Sequence, residues 1–226
     1  MKRNQSGFTL IEIAIVLVII GLLLGGVLKG QELINSAKVK NLATDFRNIP
    51  VYIYGYQDKF RAIPGDDTQA QSHVGTAATL CTGGTTVCNP GNGLIEGAWD
   101  TLTSTDESQL FWQQVRLAGL AAGPTAAGTD LLPTNSVGGV IGITSGAYNP
   151  DPTAAPNKLP GTYIICSAGI LGKFAKQLDI QMDDGSPTTG SVREFNSSGR
   201  PSTLSTPTLV SGQLDDNLTY TVCMGV

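Results

Sequence analysis

Glu12 is the one charged residue between Phe8 and Leu28. A carboxylate near the centre of an apolar span costs about 2.5–3.5 kcal/mol on insertion scales, so a cationic partner is expected for it. Lys2 and Arg3 precede the run. The other reactive groups are Cys81, Cys88, Cys166 and Cys223. Oxidised, they allow three pairings. The short polar loop Thr82–Val87 makes Cys81–Cys88 easy to close, which leaves Cys166–Cys223. As metal ligands they are poorly spaced, with no CxxC pair and a single histidine, His73, in the chain. A Ser-His-Asp triad would have to use His73, and its polar surroundings read as a solvated loop. The acidic pairs Asp66-Asp67, Asp183-Asp184 and Asp215-Asp216 match no EF-hand spacing, and turn or cap roles explain them. Phosphate-binding loops, nucleophile elbows and HExxH motifs are missing from the sequence. No catalytic residue, cofactor or metal site is assigned, and no enzyme is expected.

At about 1.5 Å per residue, the helix Phe8–Leu28 would span roughly 31 Å, matching a hydrocarbon core of about 30 Å. A secretory signal has an apolar region of only about 7–15 residues. Lys29, Gln31 and Glu32 follow this run in place of a small-residue cleavage site. The stretch Gly7-Phe8-Thr9-Leu10-Ile11-Glu12, continuing as Ile13 to Gly21, resembles the start of type IV pilins and type II secretion pseudopilins. The resemblance implies a peptidase cut between Gly7 and Phe8, N-methylation of Phe8, and pairing of Glu12 with the terminal ammonium of a neighbouring subunit. The spacing suits this chemistry, because Phe8 and Glu12 lie one helical turn apart at i and i+4. Gly21 and Gly25 have the GxxxG spacing that lets backbones approach closely. Many members of that family carry a proline where this chain has Lys29.

The elements that would position these groups can be read in outline. Leu42, Phe46, Ile49, Ile53, Tyr56 and Phe60 recur every three or four residues, an amphipathic stem expected to pack on its own globular domain. Pro50 predicts a kink near Phe46–Pro50 or two consecutive helices. A second helix is predicted over Thr105–Leu120, with Ser104 and Glu107 as a capping box. A third is predicted over Gly169–Met182. Strands are expected at Gly138–Thr144, Thr162–Ser167 and Leu218–Met224, with short strands hidden near Val192, Phe195 or Val210. Gly123–Asn135 and Ala147–Pro160 read as loops. The fold class is α+β: a long N-terminal helix, membrane-spanning in its first half, packed on a globular domain with a small antiparallel sheet and further helices.

Charged residues are 14% of the 226, against about 25% in a typical soluble domain. The net charge of −4 argues against a general nucleic-acid binder. The expected division is a leader at 1–7, a membrane and assembly helix at 8–28, a helical stem at 29–62 and a globular domain at 63–226. The resemblance implies a structural filament subunit, made in the bacterial inner membrane and ending in an extracellular pilus or a periplasmic pseudopilus. The implied partners are identical or related subunits, the prepilin peptidase, an inner-membrane assembly platform and membrane lipid. A pseudopilin of protein secretion and a tethered binding domain that never polymerises are the alternatives.

Overall fold

The computed structural model describes residues 10–81, 88–148, 158–196 and 213–226. Contacts divide the chain into two units, Met1–Lys38 and Val39–Val226. The described part of the first unit is helical throughout and belongs to α1 (Leu10–Phe60). Its most apolar window has a mean hydropathy of 2.8 and none of it is buried. Length and composition both suit a membrane crossing.

In the second unit, α1 buries Val39, Leu42, Ala43, Phe46, Ile49, Ile53 and Tyr56 along one stripe. Pro50 lies inside α1 without dividing it into two helices. Proline removes one donor from the ladder, but Ile49 and Ile53 on either side of it are both buried in the core. Burying side chains of that size is worth about 1.5–3 kcal/mol each, enough to hold the helix through the defect.

Beyond α1 come α2 (Ala70–Val74), α3 (Glu107–Leu117), β1 (Ile141–Ser145), β2 (Tyr163–Leu171), α4 (Gly172–Met182), β3 (Val192–Asn196) and β4 (Thr219–Gly225). The four strands form one antiparallel sheet in the order β1-β2-β4-β3. This is the predicted α+β arrangement. One large core gathers the α1 stripe with Phe111 and Val115 of α3, Phe174 and Leu178 of α4, and Ile143, Ile165, Val192 and Val222 of the sheet. A smaller cluster joins Ile164, Cys166, Phe195 and Cys223, on the alternate strand positions, to Trp99 and Leu159 outside the strands.

Two predicted helices start later than expected. The capping box Ser104–Glu107 does not form: α3 begins at Glu107 after Asp106, which makes no side-chain cap bond. Asp106 instead accepts from the Thr101 hydroxyl at 2.6 Å, and Glu107 turns into the core. The predicted helix Gly169–Met182 loses its first residues to β2. A bulge between Ser167 and Ile170 resets the register, and Ile170 and Leu171 then pair with Tyr220 and Thr219. Gly169 sits in that bulge at φ +73°, a conformation open mainly to glycine. Val192 and Phe195 lie on β3 as expected, while Val210 falls outside the described residues.

Candidate functional site

Glu12 lies in the first described turn of α1 and is exposed. Gly7 and Phe8, the expected cleavage and methylation residues, lie outside the described residues. Around and beyond Glu12 the helix presents Leu10, Ile11, Ile13, Ile15, Val16 and Leu17, all exposed. Ala14, Ile15, Val18 and Ile19 line a shallow apolar groove. A Cβ built on Gly21, Gly25, Gly26 or Gly30 would meet nothing within 4 Å. Among the described residues, the glycines therefore serve no packing need. What the segment offers is a continuous apolar surface with one carboxylate and a line of small residues. Such a surface can pack against lipid or against other helices of its kind.

The cysteines form two bonds, Cys81–Cys88 and Cys166–Cys223. Cys166 and Cys223 stand directly opposite each other on β2 and β4, with their Cα atoms 4.1 Å apart. Cys81 and Cys88 have Cα atoms 5.6 Å apart and pack on Leu110 of α3.

Sequence reasoning missed a group of buried acids that tie the loops after α1 together. Asp66 accepts from the backbone N–H of Gly91, from Asn92 N–H at 3.2 Å and from Gly93 N–H at 2.8 Å. Burial raises its carboxyl above the ordinary range while these bonds pull it back. Asp67 accepts from Tyr56 Oη–H at 2.7 Å and from Gln69 N–H at 2.8 Å. Its Oδ2 also lies 2.7 Å from His73 Nδ1. His73 is therefore not the solvated loop residue expected from its neighbours: it sits on α2, half-buried, with its ring stacked on Phe60 at 5.2 Å. Glu107 accepts from Asn89 N–H and Glu96 N–H, each at 2.9 Å. Burial is the largest influence on it and pushes it up to about 7.

These carboxyls are occupied as acceptors for loop N–H groups, which makes them structural staples. One signal for them is present in the sequence: Asp-Asp after Pro64-Gly65, and Asn92 between Gly91 and Gly93, are turn chemistry. What the sequence does not reveal is that the turns face each other.

Comparison with curated proteins and with solved structures finds no match. Residues 2–28 match the family described as the prokaryotic N-terminal methylation motif. Residues 2–28 thus carry the N-terminal methylation signature that type IV pilins and pseudopilins share.

Proposed function

We propose that this protein is a structural subunit of a type IV pilus-like filament, trimmed between Gly7 and Phe8, methylated on Phe8, and polymerised through the first part of α1. One observation carries the reading. The methylation motif at residues 2–28 continues into a helix whose apolar residues are exposed along with Glu12.

Cleavage would create an ammonium at Phe8, and methylation keeps its charge. Glu12 of one copy then offers that cation a partner at matching depth in an adjacent copy. Two unpaired charges buried between helices cost several kcal/mol, whereas the pair is tolerated. The carboxylate thus favours one axial register among many that the apolar surface alone would allow. The same chemistry serves a pilus and a secretion pseudopilus.

Intact-mass measurement on protein isolated from its native membrane tests the processing. The expected mass lacks residues 1–7 and gains a methyl group. An unprocessed chain would favour a tethered domain that never polymerises. Filament recovery from cells carrying Glu12→Ala tests the pairing. Membrane insertion should persist and assembly should fail; normal filaments would refute the role given to Glu12.

A further inference from the structure

The stem half of α1 and helix α3 hold a cavity of about 200 Å³ between them. Asp45, Asn48, Ile49 and Tyr52 line it from α1, and Trp112 and Arg116 from α3. The spacings i, i+3, i+4 and i+7 on α1, and i and i+4 on α3, gather each set on one helix face. Short loops after α3 and before β1 close its sides. Every residue of the site lies in Val39–Val226, so occupancy does not require a neighbouring subunit.

Three polar groups on this cavity want a partner. Trp112 is 3% exposed, and its Nε1–H has no hydrogen-bond partner among the described residues. An indole nitrogen only donates, so the missing partner is an acceptor. Arg116 is buried, with its guanidinium 5.8 Å from the Trp112 ring. Its Nε and Nη1 donate to the carbonyls of Ala122 and Pro124 at 3.2 and 2.9 Å. Those carbonyls orient the fork without neutralising it, and no carboxylate pairs with it among the described residues. Asp45 is half-buried, which raises its carboxyl above the ordinary range, and it makes no hydrogen bond or ion pair among the described residues.

A cation and an anion thus line one cavity, each partly removed from water and neither bonded to the other. Desolvated charges are costly unless they are paired. A direct bridge would satisfy both, but the cavity keeps them apart. A ligand that carries both charges satisfies them together. A simple carboxylate would meet Arg116 but face Asp45 as a like charge. A sugar would leave both charges uncompensated, and Trp112 is too deeply covered to offer it a stacking face. The volume lies below the roughly 300–1,000 Å³ of drug-sized sites, so the ligand is small.

We propose that this cavity binds a free α-amino acid, its carboxylate accepting from Trp112 Nε1–H and Arg116, and its ammonium donating to Asp45.

The test uses the full-length chain in detergent micelles, titrated by calorimetry with each of the common L-amino acids at millimolar concentration. Acetate and ethylammonium serve as controls that carry one charge each. At least one amino acid should bind with one-to-one stoichiometry, change the tryptophan fluorescence and raise the Tm. Each control should bind at least about tenfold more weakly, since it leaves one charge of the site unpaired. Asp45→Asn removes the partner of the ammonium and no contact within the described chain. It should fold normally and weaken binding at least about tenfold. Trp112→Phe keeps an aromatic ring in the core and removes the donor; it should weaken binding and abolish the fluorescence change. A fluorescence change that survives Trp112→Phe would place the ligand elsewhere. Unchanged affinity in Asp45→Asn, or acetate binding as tightly as the amino acid, would overturn the choice of a zwitterion. No saturable binding by any amino acid would refute the site.

Discussion

The hydroxyl of Tyr56 donates to Oδ2 of Asp67 at 2.7 Å, fastening the last turns of α1 to the loop that follows. Tyr56 is fully buried and Asp67 nearly so. Burial and the adjacent carboxylate together hold the phenol above its ordinary pKa, so it stays a donor throughout the working pH range. A buried hydrogen bond to a charged acceptor contributes about 1.5–3 kcal/mol. Tyr56→Phe keeps the ring in place against Phe60, whose centroid is 4.7 Å away, and removes only the donor. Unfolding in urea should show a loss of about 2 kcal/mol, with no change in helix content by circular dichroism.

Glu107 predicts an unusual pH profile. Its folded carboxyl titrates at about 7, against 4.5 for an ordinary glutamate. Between those values the folded state keeps a proton that the unfolded state has released. Stability is therefore complete below the ordinary glutamate range, declines as pH rises, and levels off above about 7, by an amount on the order of 3 kcal/mol. Burial acts in the same direction on Asp66 and Asp106. Glu107→Gln imitates the protonated form at every pH. Melts at pH 5 and pH 8 should differ less in this variant than in the native chain; an unchanged difference would assign the slope to other groups.

Fold class and the α1 stripe were legible because both rest on periodicity. Leu42, Phe46, Ile49, Ile53 and Tyr56 announce a helix face by spacing alone, and all five are buried. The boundaries that failed did so where tertiary contacts overrode local signals. Glu107 has the position of a capping-box residue, but N–H groups of Asn89 and Glu96 compete for it. Ile170 and Leu171 fit a helical pattern, yet the ladder to β4 claims them. At the N-terminus the legible features were types and spacing. The acids of the globular unit were invisible as a group, because Asp66 and Gly91, or Glu107 and Asn89, become neighbours only through the topology.

The two disulfides should contribute unequally. Cys166–Cys223 closes a separation of 57 residues and Cys81–Cys88 one of 7. Restriction of the unfolded chain then gives about 4 and about 2.5 kcal/mol respectively. Cys166→Ser with Cys223→Ser also places hydroxyls in the cluster around Trp99 and Phe195, which adds to the cost. Thermal melts of the two paired variants should rank in that order. A larger loss from the Cys81–Cys88 pair would mean that the nearby Glu107 depends on that loop being closed.

Two glycines separate folding from assembly. Gly142 on β1 runs against the backbone before it, where a Cβ would lie 1.7 Å from the Trp99 carbonyl oxygen. Gly142→Ala must push β1 or the Trp99 segment aside, and it should destabilise the globular unit by at least about 1–3 kcal/mol. Gly25 has open space around it in this chain. Gly25→Leu should leave the thermal melt of the globular unit unchanged, and a helix interior favours leucine over glycine by roughly 0.8 kcal/mol. If neighbouring helices approach through Gly21 and Gly25, leucine at that position holds their backbones apart. Filament yield from cells carrying Gly25→Leu should then fall while membrane levels of the subunit stay constant. Equal yields would move the close contact to another face of α1 and leave the register to Glu12 alone.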